Sequence, residues 1–149
     1  MYFVDRNQIN DALVHMEKLL GVYEQEKDWA ANEVSVLALE RIAHVVIESI
    51  IDVGNAMIDG FIMRDPGSYE DIIDIMEDER VITTEMAGPL KRVIELRKMI
   101  VREFTKVDVQ EINDVLAATQ KELLAFSDKV RHYLENELGP VSAFLPEEK

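Results

Sequence analysis

Arg97, Lys98 and Arg102 fall within one nine-residue stretch, LRKMIVREF, of a chain that otherwise carries a large excess of acid. From Lys91 to Lys106 there are six cations (Lys91, Arg92, Arg97, Lys98, Arg102 and Lys106) against Glu95 and Glu103, a local charge of +4 in a chain whose net charge is -14. Guanidinium is planar and permanently charged, which suits Arg97 and Arg102 to phosphate, and Lys98 adds a third positive charge. On a regular helix, five residues set two side chains about 140° and roughly 7.5 Å apart. Both arginines therefore meet one ligand only if the helix ends between them or a second chain completes the pocket. The same charges have an internal use as well, pairing with an acidic run at residues 70–79 or with carboxylates of a long helix before it.

That earlier helix carries Glu40, His44, Glu48 and Asp52 at four-residue steps, with Arg41 and Asn55 beside them. Four-residue steps draw one slowly drifting stripe. Carboxylates and an imidazole on a helix raise the idea of a metal-binding bundle, but the paired Glu-x-x-His arrangement is missing, because His44 stands four from both Glu40 and Glu48. The reading assigns no metal and no cofactor. Carboxylates inside an apolar segment need partners, so the stripe is expected to receive Arg97 or Arg102, or the partner subunit's Arg41. His15 and His132 have no neighbours at ligand or triad spacing, and there is no P-loop, GxSxG elbow or GxGxxG turn.

The elements that must position these groups are helical. Asp5 caps a first helix to about Glu26, with Ile9, Leu13, Met16, Leu20 and Tyr23 on one stripe. A second helix spans about Glu33 to Ile62. Val36, Leu37, Ile42, Val45, Val46, Ile50, Val53, Met57, Ile58 and Phe61 make it apolar on more than one face, as a central helix requires. The turn Asp65 to Ser68 stops it, and Ser68 with Asp71 forms a capping-box-like start to a short acidic helix, about 69–79. Gly88 and Pro89 make TTEMAGP a separate turn or a kinked lead-in, with helix beyond Leu90. Asp108 with Glu111 starts a last helix, striped by Ile112, Leu116, Thr119, Leu123, Phe126, Val130 and Tyr133 and stopped at Gly139-Pro140. The expected fold is all-α, an antiparallel four-helix-type bundle with one additional short helix.

With 149 residues, 48% of them hydrophobic, the chain suffices for one domain over 1–149. The breadth of the second helix's apolar surface predicts a homodimer. The absence of cysteine excludes disulfides and thiolate chemistry and fits a reducing, cytoplasmic setting. Asp5 and Arg6 leave no apolar leader, and the longest charge-free stretch, Leu138 to Pro146, is too short for a membrane span. The acidic balance repels nucleic acid and anionic membrane on average, so phosphate binding must be local.

Three stretches, LALERIAHVVIESIIDVGNAMI, RDPGSYEDIIDIMEDERVIT and LRKMIVREFTKVD, resemble in order the HepT-like proteins, a prokaryotic branch of the HEPN superfamily. The likeness covers about residues 36–130. It rests on the ER pair, a Glu and an Asp four apart, the P-x-SY turn and the arginine motif before an Asp-capped helix. The resemblance implies a dimerising all-α bundle and, in active members, a metal-independent RNA-cleaving site built on Arg, four residues, His, one residue, Tyr. Such toxins are typically paired with a small nucleotidyltransferase antitoxin that adenylylates the motif tyrosine.

Residue by residue, the family arginine falls on Arg97, the following asparagine on Lys98, the histidine on Arg102 and the tyrosine on Phe104. Arginine stays protonated where histidine exchanges a proton near neutral pH, and phenylalanine has no hydroxyl to adenylylate. Tyr69 and Tyr133 lie elsewhere in the sequence and do not restore it. The preferred expectation is a degenerate, non-catalytic dimer. It binds a protein partner of nucleotidyltransferase type, or RNA or a nucleotide, through Arg97, Lys98, Arg102 and Phe104 with Glu40, Arg41, Glu48 and Asp52. One alternative is a ribonuclease toxin using Arg97 and Arg102 for charge and Glu103 for proton transfer. The other is a purely structural dimeric scaffold.

Overall fold

The computed structural model describes residues 4–138, and over them the chain is helical with no strand. In order come α1 (Arg6–Gln25), α2 (Glu33–Gly60), α3 (Tyr69–Asp78), α4 (Thr84–Arg97) and α5 (Val109–Leu138). Between α4 and α5 lie a π-helical turn, Lys98–Arg102, and a 3-10 turn, Phe104–Lys106. The expected stop at Gly139-Pro140 lies outside the described residues.

The α1 stripe buries as its spacing predicts: Ile9, Leu13, Met16, Leu20 and Tyr23 all face inward. The Asp5 side chain accepts from the Gln8 N–H at 3.0 Å, satisfying one of the orphan donors at the helix start. α2 is the central helix and packs on α1, α3, α4 and α5. Its buried positions run around most of its circumference, Leu39, Ile42, Val46, Ile50 and Met57 among them, while Val34 and Leu37 near its start stay exposed. α5 buries Ile112, Leu116, Thr119, Leu123, Phe126 and Val130, and Tyr133 meets Phe61 edge-on at 5.1 Å. Truncating Phe126, which is wholly buried, to alanine would cost about 3–5 kcal/mol.

Two boundaries differ from expectation, each for a local reason. α2 ends at Gly60, because Met63 N–H turns back to the Ile58 carbonyl at 2.9 Å with Ile62 at φ 58° between them. This is a Schellman closure with isoleucine at the position glycine normally holds. α4 begins at Thr84 and carries Pro89 inside it, so TTEMAGP is not a separate turn: after its first residue it is the opening part of the helix. Gly88 has no Cβ to clash with the Pro89 ring, which removes one obstacle to a helical residue before proline.

The two capping boxes form in part. Ser68 Oγ accepts from the Asp71 N–H at 3.0 Å, and Asp108 Oδ1 from the Glu111 N–H at 3.2 Å. The Asp71 carboxylate turns instead to the Gly67 N–H at 2.8 Å and to the Arg64 guanidinium at 2.8 and 3.0 Å. This ties the α2–α3 turn to the first turn of α3.

Candidate functional site

The α-helical ladder stops at Arg97, and the turn after it is wider, with Glu103 N–H reaching back five residues to the Lys98 carbonyl at 3.1 Å. Met99, Ile100 and Val101, three successive apolar residues, all pack on the core there. A regular α turn would spread three such residues over about 200°. The α-helix therefore ends between Arg97 and Arg102, which meets one of the two conditions that their spacing sets.

Arg97 is held on two sides. Its Nε donates to Glu48 Oε2 at 2.8 Å across the α2–α4 contact, and its guanidinium carbon lies 4.5 Å from the centroid of the Tyr69 ring. Both contacts hold it firmly charged: the Glu48 hydrogen bond is the larger influence, and desolvation opposes it only in part. Planar guanidinium offers one edge through Nε, one face to an aromatic ring and a separate terminal edge. With Nε on Glu48 and the guanidinium carbon over the Tyr69 ring, the two terminal nitrogens are left as a fork held from two directions. Glu48 also lies 3.9 Å from His44 Nε2 one turn earlier on α2.

The sequence-predicted site residues divide accordingly. Arg97 and Glu48 come together. Arg102 is exposed and makes no ion pair among the described residues, Lys98 reaches only Glu103 at 3.8 Å, and Phe104 is 68% exposed. Glu40, Arg41 and Asp52 make no ion pair among the described residues, and Arg102 does not reach the stripe. The expectation of a buried acidic stripe that must be paired is corrected: Glu40 is half-buried and Asp52 exposed on the outer side of α2, so water can satisfy them. The internal use of the basic charges is real but partial, for Lys91 pairs with Asp74 at 2.5 Å and Arg97 with Glu48. Among the described residues no three His, Asp or Glu side chains converge as a metal set would.

Tyr69 is the residue that spacing along the chain missed. It is the first residue of α3, 44% exposed, and the fold brings it beside Arg97 although 28 positions separate them. The signal lay in the P-x-SY turn, which fixes where α3 starts and therefore which way its first side chain points.

Comparison with known proteins places this geometry in context. The family model described as ribonuclease HepT-like matches residues 9–130. YutE of Bacillus subtilis (strain 168), a curated relative named as a candidate RNase, is 49% identical over 144 residues, covering 97% of this chain and 99% of the relative. A solved structure of Bacillus subtilis YutE, described as a cytosolic protein of unknown function, superposes with a TM-score of 0.93 over 97% of this chain and 100% of its own. Two more distant solved structures share the fold. A toxin-antitoxin with AMP-PNP has a TM-score of 0.71 at 15% identity over 82% of this chain and 96% of its own. A tri-AMPylated Shewanella oneidensis HEPN toxin in complex with MNT antitoxin has 0.73 at 16% identity over 83% and 96%. Among the described residues no helix is long and apolar enough to cross a membrane.

Proposed function

The chain belongs to the HepT-like ribonuclease family, and on that premise we propose that it is a cytoplasmic, homodimeric, single-domain member that binds RNA and no longer runs the motif's own cleavage chemistry. The observation that carries this reading is the state of the motif. Arg97 is pre-oriented by Glu48 and Tyr69 as a phosphate fork, with Lys98 and Arg102 following it in the chain, while positions 102 and 104 hold a guanidinium and a bare phenyl ring. Binding through such a fork survives the loss of the motif imidazole; proton transfer at that position does not. The exposed Val34, Leu37 and Phe104 supply apolar surface for a second copy. The partner fitting this reading is a minimal nucleotidyltransferase, the kind of pairing suggested by the two toxin-antitoxin neighbours.

The test is RNA binding and cleavage by the purified chain at several salt concentrations. Expected are salt-dependent binding, weakened by Arg97→Ala, and no cleavage. A second reading keeps ribonuclease activity, and His44 favours it by placing an imidazole one carboxylate away from Arg97. Cleavage abolished by Arg97→Ala would select that reading and overturn the first.

A further inference from the structure

A nucleotidyltransferase acting on this family's arginine motif needs a hydroxyl there, and Phe104 offers none. The fold supplies one from a different helix. We propose that Tyr69 is the nucleotidyl acceptor of this protein, taking over from the missing motif tyrosine through its position beside Arg97. The inference rests on the proposed pairing with a nucleotidyltransferase.

Three observations single it out. Among the described residues there are two other tyrosines. Tyr23 is buried with its hydroxyl donating to Asn113 Oδ1 at 2.5 Å, and Tyr133 is half-buried against Phe61. Tyr69 is 44% exposed, and no hydrogen bond within the described residues engages its hydroxyl. Its ring lies under the Arg97 guanidinium, whose carbon is 4.5 Å from the ring centroid, so a fixed positive charge stands near any phosphoryl group carried on that side chain. Beside it opens a depression of about 400 Å³ whose lining includes Asn55, Pro66, Ser68, Tyr69, Glu70 and Ile72, room for part of a nucleotide.

The step balances with a nucleoside triphosphate as co-reactant. Tyr69 Oη attacks the α-phosphorus and forms a phosphodiester bond to the nucleoside monophosphate. The bond from that phosphorus to the bridging oxygen breaks, pyrophosphate leaves, and the phenolic proton passes to a base of the transferase or to solvent. No redox change occurs. The product carries one negative charge against Arg97 and occupies the terminal nitrogens that would otherwise hold RNA. Modification therefore switches RNA binding off, with a loss of roughly tenfold in affinity, as expected for one charge-assisted contact.

The full chain is expressed from its own locus with the flanking reading frames, purified, and mapped by intact-mass and peptide mass spectrometry beside Tyr69→Phe. The phenylalanine variant keeps the ring under Arg97 and loses only the hydroxyl, and its helical circular dichroism checks folding. Expected is a wild-type chain carrying nucleotidyl mass on the peptide with Tyr69, and an unmodified Tyr69→Phe chain. An adduct on Thr105, Tyr133 or any residue other than Tyr69, an adduct retained by Tyr69→Phe, or an unmodified wild type overturns the proposal. RNA binding lost in Arg97→Ala alongside an unmodified wild type sinks this inference alone; no RNA binding at all sinks the functional reading with it.

Discussion

Ile62 offers a test of how the turn before the site is built. It is a β-branched residue at φ 58°, a conformation that costs an L-residue roughly 1–2 kcal/mol. At 78% exposure it recovers little by burial; about a fifth of its side chain is covered, worth about 0.3–0.6 kcal/mol. Ile62→Gly removes the strain, gives up that small burial, and adds about 0.5–1 kcal/mol of unfolded-chain freedom. The balance runs from a loss of about 0.6 to a gain of about 1.2 kcal/mol, although isoleucine to glycine in packed structure costs several. Urea unfolding and thermal melts should show a thermal midpoint between about 2 °C lower and about 5 °C higher. A loss above about 1 kcal/mol would refute the reasoning. If that loss also depends on protein concentration, Ile62 is a dimer contact that the isolated chain leaves bare.

Other expectations follow from the same geometry. Arg97→Lys keeps the charge and loses both the Nε bond to Glu48 and the guanidinium over the Tyr69 ring. RNA binding by filter assay should weaken severalfold with an unchanged salt slope, whereas Arg97→Ala should also lower the slope by about one. Gly54→Ala would drive a Cβ into Ile72 Cγ2 and against Met76 Sδ at 3.3 Å; overpacking of about 1–3 kcal/mol should outweigh the gain of about 1 kcal/mol in helix propensity. An unchanged denaturation midpoint would show that α3 can move away. Arg64 and the Gly67 N–H hold the Asp71 carboxyl at about 2, below its usual value. The stabilisation is therefore full above pH of about 4 and lost as pH falls towards 2, so the stability gap between wild type and Asp71→Asn should close over that interval. A gap that persists at pH of about 2 would show that the ion pair is not its source.

The all-α architecture was legible in the sequence because apolar periodicity, caps and stops are local: the α1 stripe, the Asp5, Ser68 and Asp108 caps and the central character of α2 all follow from residues a few positions apart. Pro89 misled, since its cost is real but a helix anchored at both ends by packing tolerates it. The basic stretch could likewise be read from the chain alone, while the absence of a histidine and a tyrosine at positions 102 and 104 had meaning only through the family resemblance. What it could not give is which carboxylate of an evenly spaced stripe faces Arg97, because that depends on how far α4 sits along α2. The fold selects Glu48 and leaves Asp52 in water. Nor could spacing bring Tyr69 to Arg97, since their neighbourhood arises from packing α3 against α4 and not from any local period. Composition and periodicity determined a helical bundle with one basic stretch, and the family resemblance implied a motif without its histidine and tyrosine; only the tertiary structure decided that Arg97 is clamped on two sides, with a phenol beside it.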